Sequence, residues 1–141
     1  MNEVSIIAKF ESAEALRLDF IDGLAAGFPS PARDYMEESI DLNKELIKNP
    51  NWTFIGRVKG QSMRDAGISQ GDLVVIDRSL DAVHGRIALC ALDGGLTIKR
   101  LHKTADAMYL MPANPDYKPI KVSEEQNFSV WGVVTYVVKK L

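Results

Sequence analysis

A mainly β fold is what this sequence predicts: a curved, partly barrel-like sheet with one helix and an extended N-terminal arm. Three observations carry that expectation. From Trp52 onward, short runs rich in β-branched and aromatic residues follow one another closely. Turn-forming residues separate them, as at Asp93-Gly94-Gly95 and Pro112-Ala113-Asn114-Pro115. Helical spacing of apolar residues is clear only before Trp52. Short strands in close succession bury a common face by curling.

The elements follow in chain order. Residues 1–34 read as an arm without a core of its own. It holds an amphipathic patch (Ala13, Leu16, Phe20, Ile21, Leu24), then Ala25-Ala26-Gly27, then Phe28-Pro29-Ser30-Pro31. Two prolines one residue apart favour extended chain. Residues 35–141 read as a β-rich domain, opened by a helix over 35–48. Asp34 with Glu37 suggests a capping box, and Met36, Ile40, Asn43 and Ile47 form a stripe that Leu42 and Leu46 widen. Asn49-Pro50 ends it. Strands are expected at Thr53–Val58, Leu73–Asp77, Arg86–Leu92, Leu96–Leu101, Met108–Met111, Lys118–Val122 and Phe128–Val138. Leu92-Asp93-Gly94-Gly95-Leu96 is a hairpin signal.

Composition narrows the function. In 141 residues, 46% are hydrophobic and 26% charged, which suits a globular protein with a real core. The net charge of −2 and scattered basic residues give no stripe for nucleic acid, so direct sequence-specific DNA binding is not expected. Cys90, the one cysteine, sits in the apolar run Ile87–Leu92 and reads as a quiet core thiol. His84 and His102 are the only histidines, so no metal or other cofactor is expected. No run reaches the ~20 apolar residues of a membrane helix. The N-terminus lacks the basic flank of a signal peptide, so a cytoplasmic location is expected.

Gly60-Gln61-Ser62-Met63 directly follows an expected strand. A nucleophilic serine must display its hydroxyl where a backbone N–H can face the developing oxyanion, and a nearby glycine permits the tight turn. Taken alone, the tetrapeptide fits an ordinary loop better, since Gly-x-Ser occurs by chance in many loops. No Ser-His-Asp set is evident, which leaves a lysine as the activating base. Lys99 lies among apolar neighbours in Leu96-Thr97-Ile98-Lys99-Arg100-Leu101. If it points inward, desolvation favours the neutral amine that a base must be; if outward, it is a common exposed lysine. Arginine could not serve, because a guanidinium stays protonated.

Joined together, these segments resemble a known family. Gly60-x-Ser62-Met63, then Gly67-Ile68-x-x-Gly71-Asp72 and Leu73-Val74-Val75-Ile76-Asp77, is similar to the serine-loop signature of the LexA/UmuD family of self-cleaving Ser-Lys proteins. Ile98-Lys99-Arg100-Leu101 is similar to its lysine strand, and the 37-residue separation is like that of the UmuD branch. The likeness extends to Ala26-Gly27-Phe28-Pro29-Ser30-Pro31-Ala32, Asp34-Tyr35, Ile40-Asp41-Leu42-Asn43, His84-Gly85 and Gly132-Val133-Val134. It covers residues from about 18 to the end and leaves 1–17 unassigned. One departure is Ala26, where the UmuD branch has cysteine; Ala-Gly is the dipeptide that LexA proteins cut.

The resemblance implies Ser62 as nucleophile and Lys99 as general base, with Gly60 and Met63 shaping the serine loop and a fold like the LexA C-terminal domain. Thr97, two residues before Lys99, should share its strand face and help orient the amine. It further implies cleavage of the Ala26-Gly27 bond, a homodimer, and stimulation by a RecA filament on single-stranded DNA. The processed form would serve as accessory subunit of a translesion DNA polymerase of the UmuC kind. A repressor would need a DNA-binding helical bundle, for which the residues before Ala26 are too few; a repressor-derived protein lacking that domain stays open. A signal peptidase would need a membrane anchor. A non-enzymatic, homodimeric binding or regulatory module is the alternative from a different class.

Overall fold

Ten strands account for most of the residues described in this computed structural model, which are 4–9, 17–21 and 36–141. The contacts divide them into two units, one drawn from Met1–Glu11 and Asn49–Leu141, the other from Ser12–Lys48.

The larger unit is an open sheet of eight strands: β1 (Val4–Lys9), β4 (Thr53–Val58), β5 (Leu73–Asp77), β6 (Ile87–Leu92), β7 (Gly95–Lys103), β8 (Met108–Met111), β9 (Ile120–Val122) and β10 (Phe128–Val138). Their order is β1-β4-β5-β10-β6-β7-β8-β9, antiparallel throughout. All seven expected strands lie within two residues of their predicted ends, and Gly95–Lys103 runs two residues past Leu101. Lys118–Val122 shrinks to Ile120–Val122, because Pro119 has no N–H to give a ladder. The hairpin signal is realised: Leu92 pairs with Gly95, and Asp93 (φ 48°) and Gly94 (φ 85°) both take the left-handed conformation of a two-residue turn.

β10 holds the sheet together. Its first half pairs with β6 and its second with β5, with register shifts between Val130 and Gly132 and between Val134 and Tyr136. Such bulges bend a strand and increase its twist. At Gly132 no larger residue fits, since a Cβ would lie 2.6 Å from Ile76 Cγ2. The resulting curl brings β1 within contact of β7, though the two are not neighbours in the ladder. Two apolar clusters fill the faces. One gathers Val4, Val58, Met63, Ile68, Val74, Ile76, Leu89 and Ile98; the other gathers Ala88, Cys90, Leu92, Leu101 and Leu110. Alternation along β6, with Leu89 in one cluster and Ala88 and Cys90 in the other, is the period-2 signature of a strand.

The smaller unit corrects the helix expected over 35–48. Met36–Asp41 is a strand (β3), paired antiparallel with β2 (Arg17–Ile21), and only Leu42–Leu46 is helical (α1). Asp41 caps the helix, its carboxylate accepting from the Asn43 N–H at 3.1 Å, while Asp34, the expected cap, lies outside the described residues. Helix propensities of ordinary residues differ by at most ~0.7 kcal/mol each, which a ladder with a partner strand outweighs. That partner lay in the stretch expected to be an arm, and β1, from the same stretch, joins the main sheet.

Candidate active site

The serine loop leaves the sheet at the end of β4 and is pinched shut where it returns. Val58 N–H donates to Asp72 O and Gly71 N–H to Val58 O, both at 2.9 Å. Within that neck Gly60 turns the chain at φ 85° and its N–H donates to Gln70 Oε1. A single 3-10 turn spans Arg64–Ala66, closed by Gly67, whose N–H donates to Arg64 O. Met63 and Ile68 are buried in the first apolar cluster, and both Ala66 and Ile68 donate to Met63 O. Burial of the side chain after Ser62 therefore fixes where the serine stands.

A second loop braces the first. Ala113 N–H donates to Ser62 O at 2.8 Å, and Asp65 N–H donates to Ala113 O at 2.7 Å. Asn114, 6% exposed, donates from Nδ2 to Gln61 O at 2.8 Å and accepts at Oδ1 from the Asp116 N–H at 3.0 Å. The sequence marks Pro112–Pro115 only as a turn. Nothing local in the sequence marks Asn114 as a partner of Gln61, because the bond spans 53 residues.

Lys99 approaches from β7. Its register partner is Ala88, and Thr97 faces Cys90, so Lys99 and Thr97 share the inward side of the strand. Lys99 is 2% exposed and Ser62 3%. The Nζ lies 2.9 Å from Ser62 Oγ, 2.6 Å from Thr97 Oγ1 and 3.1 Å from Ile98 O. These three oxygens carry no formal charge, and among the described residues every buried side-chain nitrogen and oxygen has a partner. A buried amine touching a serine hydroxyl is the geometry that proton transfer needs.

The carboxylates stand around the frame. Burial works against charge on Asp72, yet bonds from Lys139 and the Ser69 N–H, with the lysine's charge, outweigh it and hold the carboxyl below its usual value. Asp77 is likewise held low against burial by Asn49 and Ser79. Burial pushes the Cys90 thiol up to about 12, which the nearby Lys99 charge only partly opposes; it is inert, as a core thiol should be.

The structure thus brings together Gly60, Ser62, Met63, Thr97 and Lys99, while Ala26 and Gly27 lie outside the described residues. It also pairs the two histidines, for which the sequence offered no pairing. Their rings are 5.0 Å apart, with His84 Nδ1 accepting from the Lys103 N–H, beside a groove of about 410 Å³ lined by His102, Thr104, Tyr109, Met111 and Pro119. No helix among the described residues is long and apolar enough to cross a membrane.

Comparison with known proteins gives the family. Residues 19–135 match the family described as Peptidase S24-like. The chain is 40% identical over 127 residues to Protein ImpA of Salmonella typhimurium, covering 86% of this chain and 82% of that protein. It is 39% identical over 133 residues to Protein MucA of Escherichia coli, covering 90% of each. Against the LexA repressor of Xylella fastidiosa it is 37% identical over 134 residues, spanning 94% of this chain and 63% of the repressor. A match over most of the length, with relatives near 40% identity, means that this chain belongs to the peptidase S24-like family, that of the self-cleaving LexA and UmuD proteins.

Proposed function

We propose that the chain is a self-cleaving serine protease of the SOS response that cuts its own Ala26-Gly27 bond, with Ser62 as nucleophile and Lys99 as general base. The observation that supports this best is the shielded 2.9 Å contact between Lys99 Nζ and Ser62 Oγ. In the reactive state the neutral amine takes the hydroxyl proton along that contact while Oγ bonds to the Ala26 carbonyl carbon. Thr97 Oγ1 and Ile98 O hold the amine in line. The charge that develops on the carbonyl oxygen is received by backbone N–H groups beside Ser62, that of Met63 first among them. Collapse breaks the Ala26-Gly27 bond, the new amino group takes the proton from Lys99, and water, deprotonated by the same lysine, frees the acyl-enzyme.

On this reading residues 1–34 are the cleavable arm and 35–141 the peptidase and dimerisation domain. Because the substrate is tethered, its effective concentration is high and docking of the arm sets the rate. A RecA filament on single-stranded DNA acts by favouring the docked arm. The form that starts at Gly27 is a cytoplasmic homodimer and the accessory subunit of a translesion DNA polymerase of the UmuC kind.

The purified chain, incubated from neutral to alkaline pH, tests this by mass spectrometry. A base acts only when unprotonated, so cutting should accelerate with pH and yield a fragment starting at Gly27. Ser62→Ala and Lys99→Arg should stay whole. Intact parent chain at every pH, and with activated RecA present, would leave a non-enzymatic binding module.

A further inference from the structure

We infer that the outer edge of β4 is a strand-accepting site, covered by β1 in the uncut chain and opened by cleavage to an extended segment of a partner protein. The inference rests on the proposed cut between residues 26 and 27, since β1 lies on the side that the cut frees.

β4 is hydrogen-bonded to β5 along one side and to β1 along the other. Among the described residues β1 itself is an edge strand with one neighbour, and its ladder is interrupted by a register shift between Ile6 and Ala8. Val4 stands opposite Val58, the residue at the neck of the serine loop, and is 3% exposed within the cluster that holds Val58, Met63, Ile68 and Ile98. While the backbone is continuous, β1 is an intramolecular ligand with an effective concentration of order millimolar. Once Ala26-Gly27 is cut, the freed fragment is held only by the ladders of β1 on β4 and of β2 on β3, and leaves on dilution. β4 then presents a row of unpaired N–H and C=O groups beside a hole the size of a valine. A bare edge of that kind recruits another strand.

The departing strand defines its replacement. The new segment runs antiparallel to β4 and carries an aliphatic side chain at the Val4 position. Opposite Gly56 it meets no side chain, and opposite the exposed Arg57 an acidic residue is favoured over the Ser5 of this chain.

The experiment uses the full chain with Ser62→Ala, so that no cutting occurs, and a fluorescein-labelled peptide with the sequence of residues 1–10. Fluorescence polarisation is compared with and without Val4→Asp, which places a carboxylate in the apolar cluster and ejects β1. The Val4→Asp chain should bind the peptide at least tenfold more tightly. A peptide carrying aspartate at its own fourth position should not bind. If near-UV circular dichroism shows that the Val4→Asp chain has not folded, Val4→Ala should still give a smaller rise in affinity. Equal affinities in all folded chains would overturn the inference, as would binding indifferent to the peptide's fourth residue. So would self-association of the Val4→Asp chain in place of peptide binding, which would make a second copy the occupant. Since cutting plays no part here, a negative result leaves the protease reading standing. A positive one establishes the accepting edge, and an intact Ala26-Gly27 bond in the mass-spectrometric test above would overturn its opening by cleavage.

Discussion

Replacing Asn114 with alanine tests whether the loop at 112–115 positions the serine. The substitution removes the donor to Gln61 O and the acceptor for the Asp116 N–H, bonds of 2.8 and 3.0 Å, together with a marginal 3.5 Å contact from Arg64. Each good bond contributes about 1 kcal/mol net. Gln61 and Asp116 are themselves exposed, so water replaces part of what is lost. The expected cost is therefore about 1–2 kcal/mol, read from urea melts in the Ser62→Ala background. Gln61 immediately precedes Ser62, so the hydroxyl loses its fixed distance from Lys99. A misplacement of ~1 Å costs on the order of a hundredfold in rate; the Ala113 bond to Ser62 O remains, so self-cleavage should slow about tenfold. Asn114→Asp separates the two effects. It keeps an acceptor for Asp116 and Arg64 and should recover part of the stability, yet it cannot donate to Gln61 and should cut as slowly as the alanine variant. Parental stability and parental rate in Asn114→Ala would refute the bracing role.

Two other perturbations follow from the same frame. Gly132→Ala forces a Cβ to within 2.6 Å of Ile76 Cγ2 and should destabilise the fold by about 1–3 kcal/mol in a urea melt; an unchanged midpoint would mean that the bulge has slack. Because the folded Asp72 carboxyl is held below its usual value, its contribution is complete above the unfolded value near 4 and is lost as pH falls through the folded one. The gap between parent and Asp72→Asn, about 1 kcal/mol at neutral pH given the partly exposed Lys139, should therefore close in acid. A constant gap down to pH 2 would contradict that sign.

From Thr53 on, the sheet was readable because each strand carries its own β-branched run and its own turn, as Leu73–Asp77 and the Asp93-Gly94 hairpin do. The meeting of Ser62 with Lys99 was readable only through family resemblance. Nothing local distinguishes an inward lysine from an outward one, and the orientation depends on the pairing of β7 with β6. Met36–Asp41 misled for a related reason. Its residues suit a helix as well as a strand, and the choice was made by Arg17–Ile21, a partner the local pattern does not name. Asn114 was invisible because a side chain that bonds across 53 residues leaves no periodicity behind.

The position of β10 has a consequence for timing. Among the described residues, β1, β4 and β5 form one ladder and β6 to β9 another, and the strand at 128–138 is the one that pairs with both. The hydroxyl belongs to the first ladder and the amine to the second. A nascent chain that has not yet exported the segment at 128–138 holds both groups but lacks the strand that joins their ladders. Assembly of the site is thereby deferred until that segment has been made, with no inhibitor required.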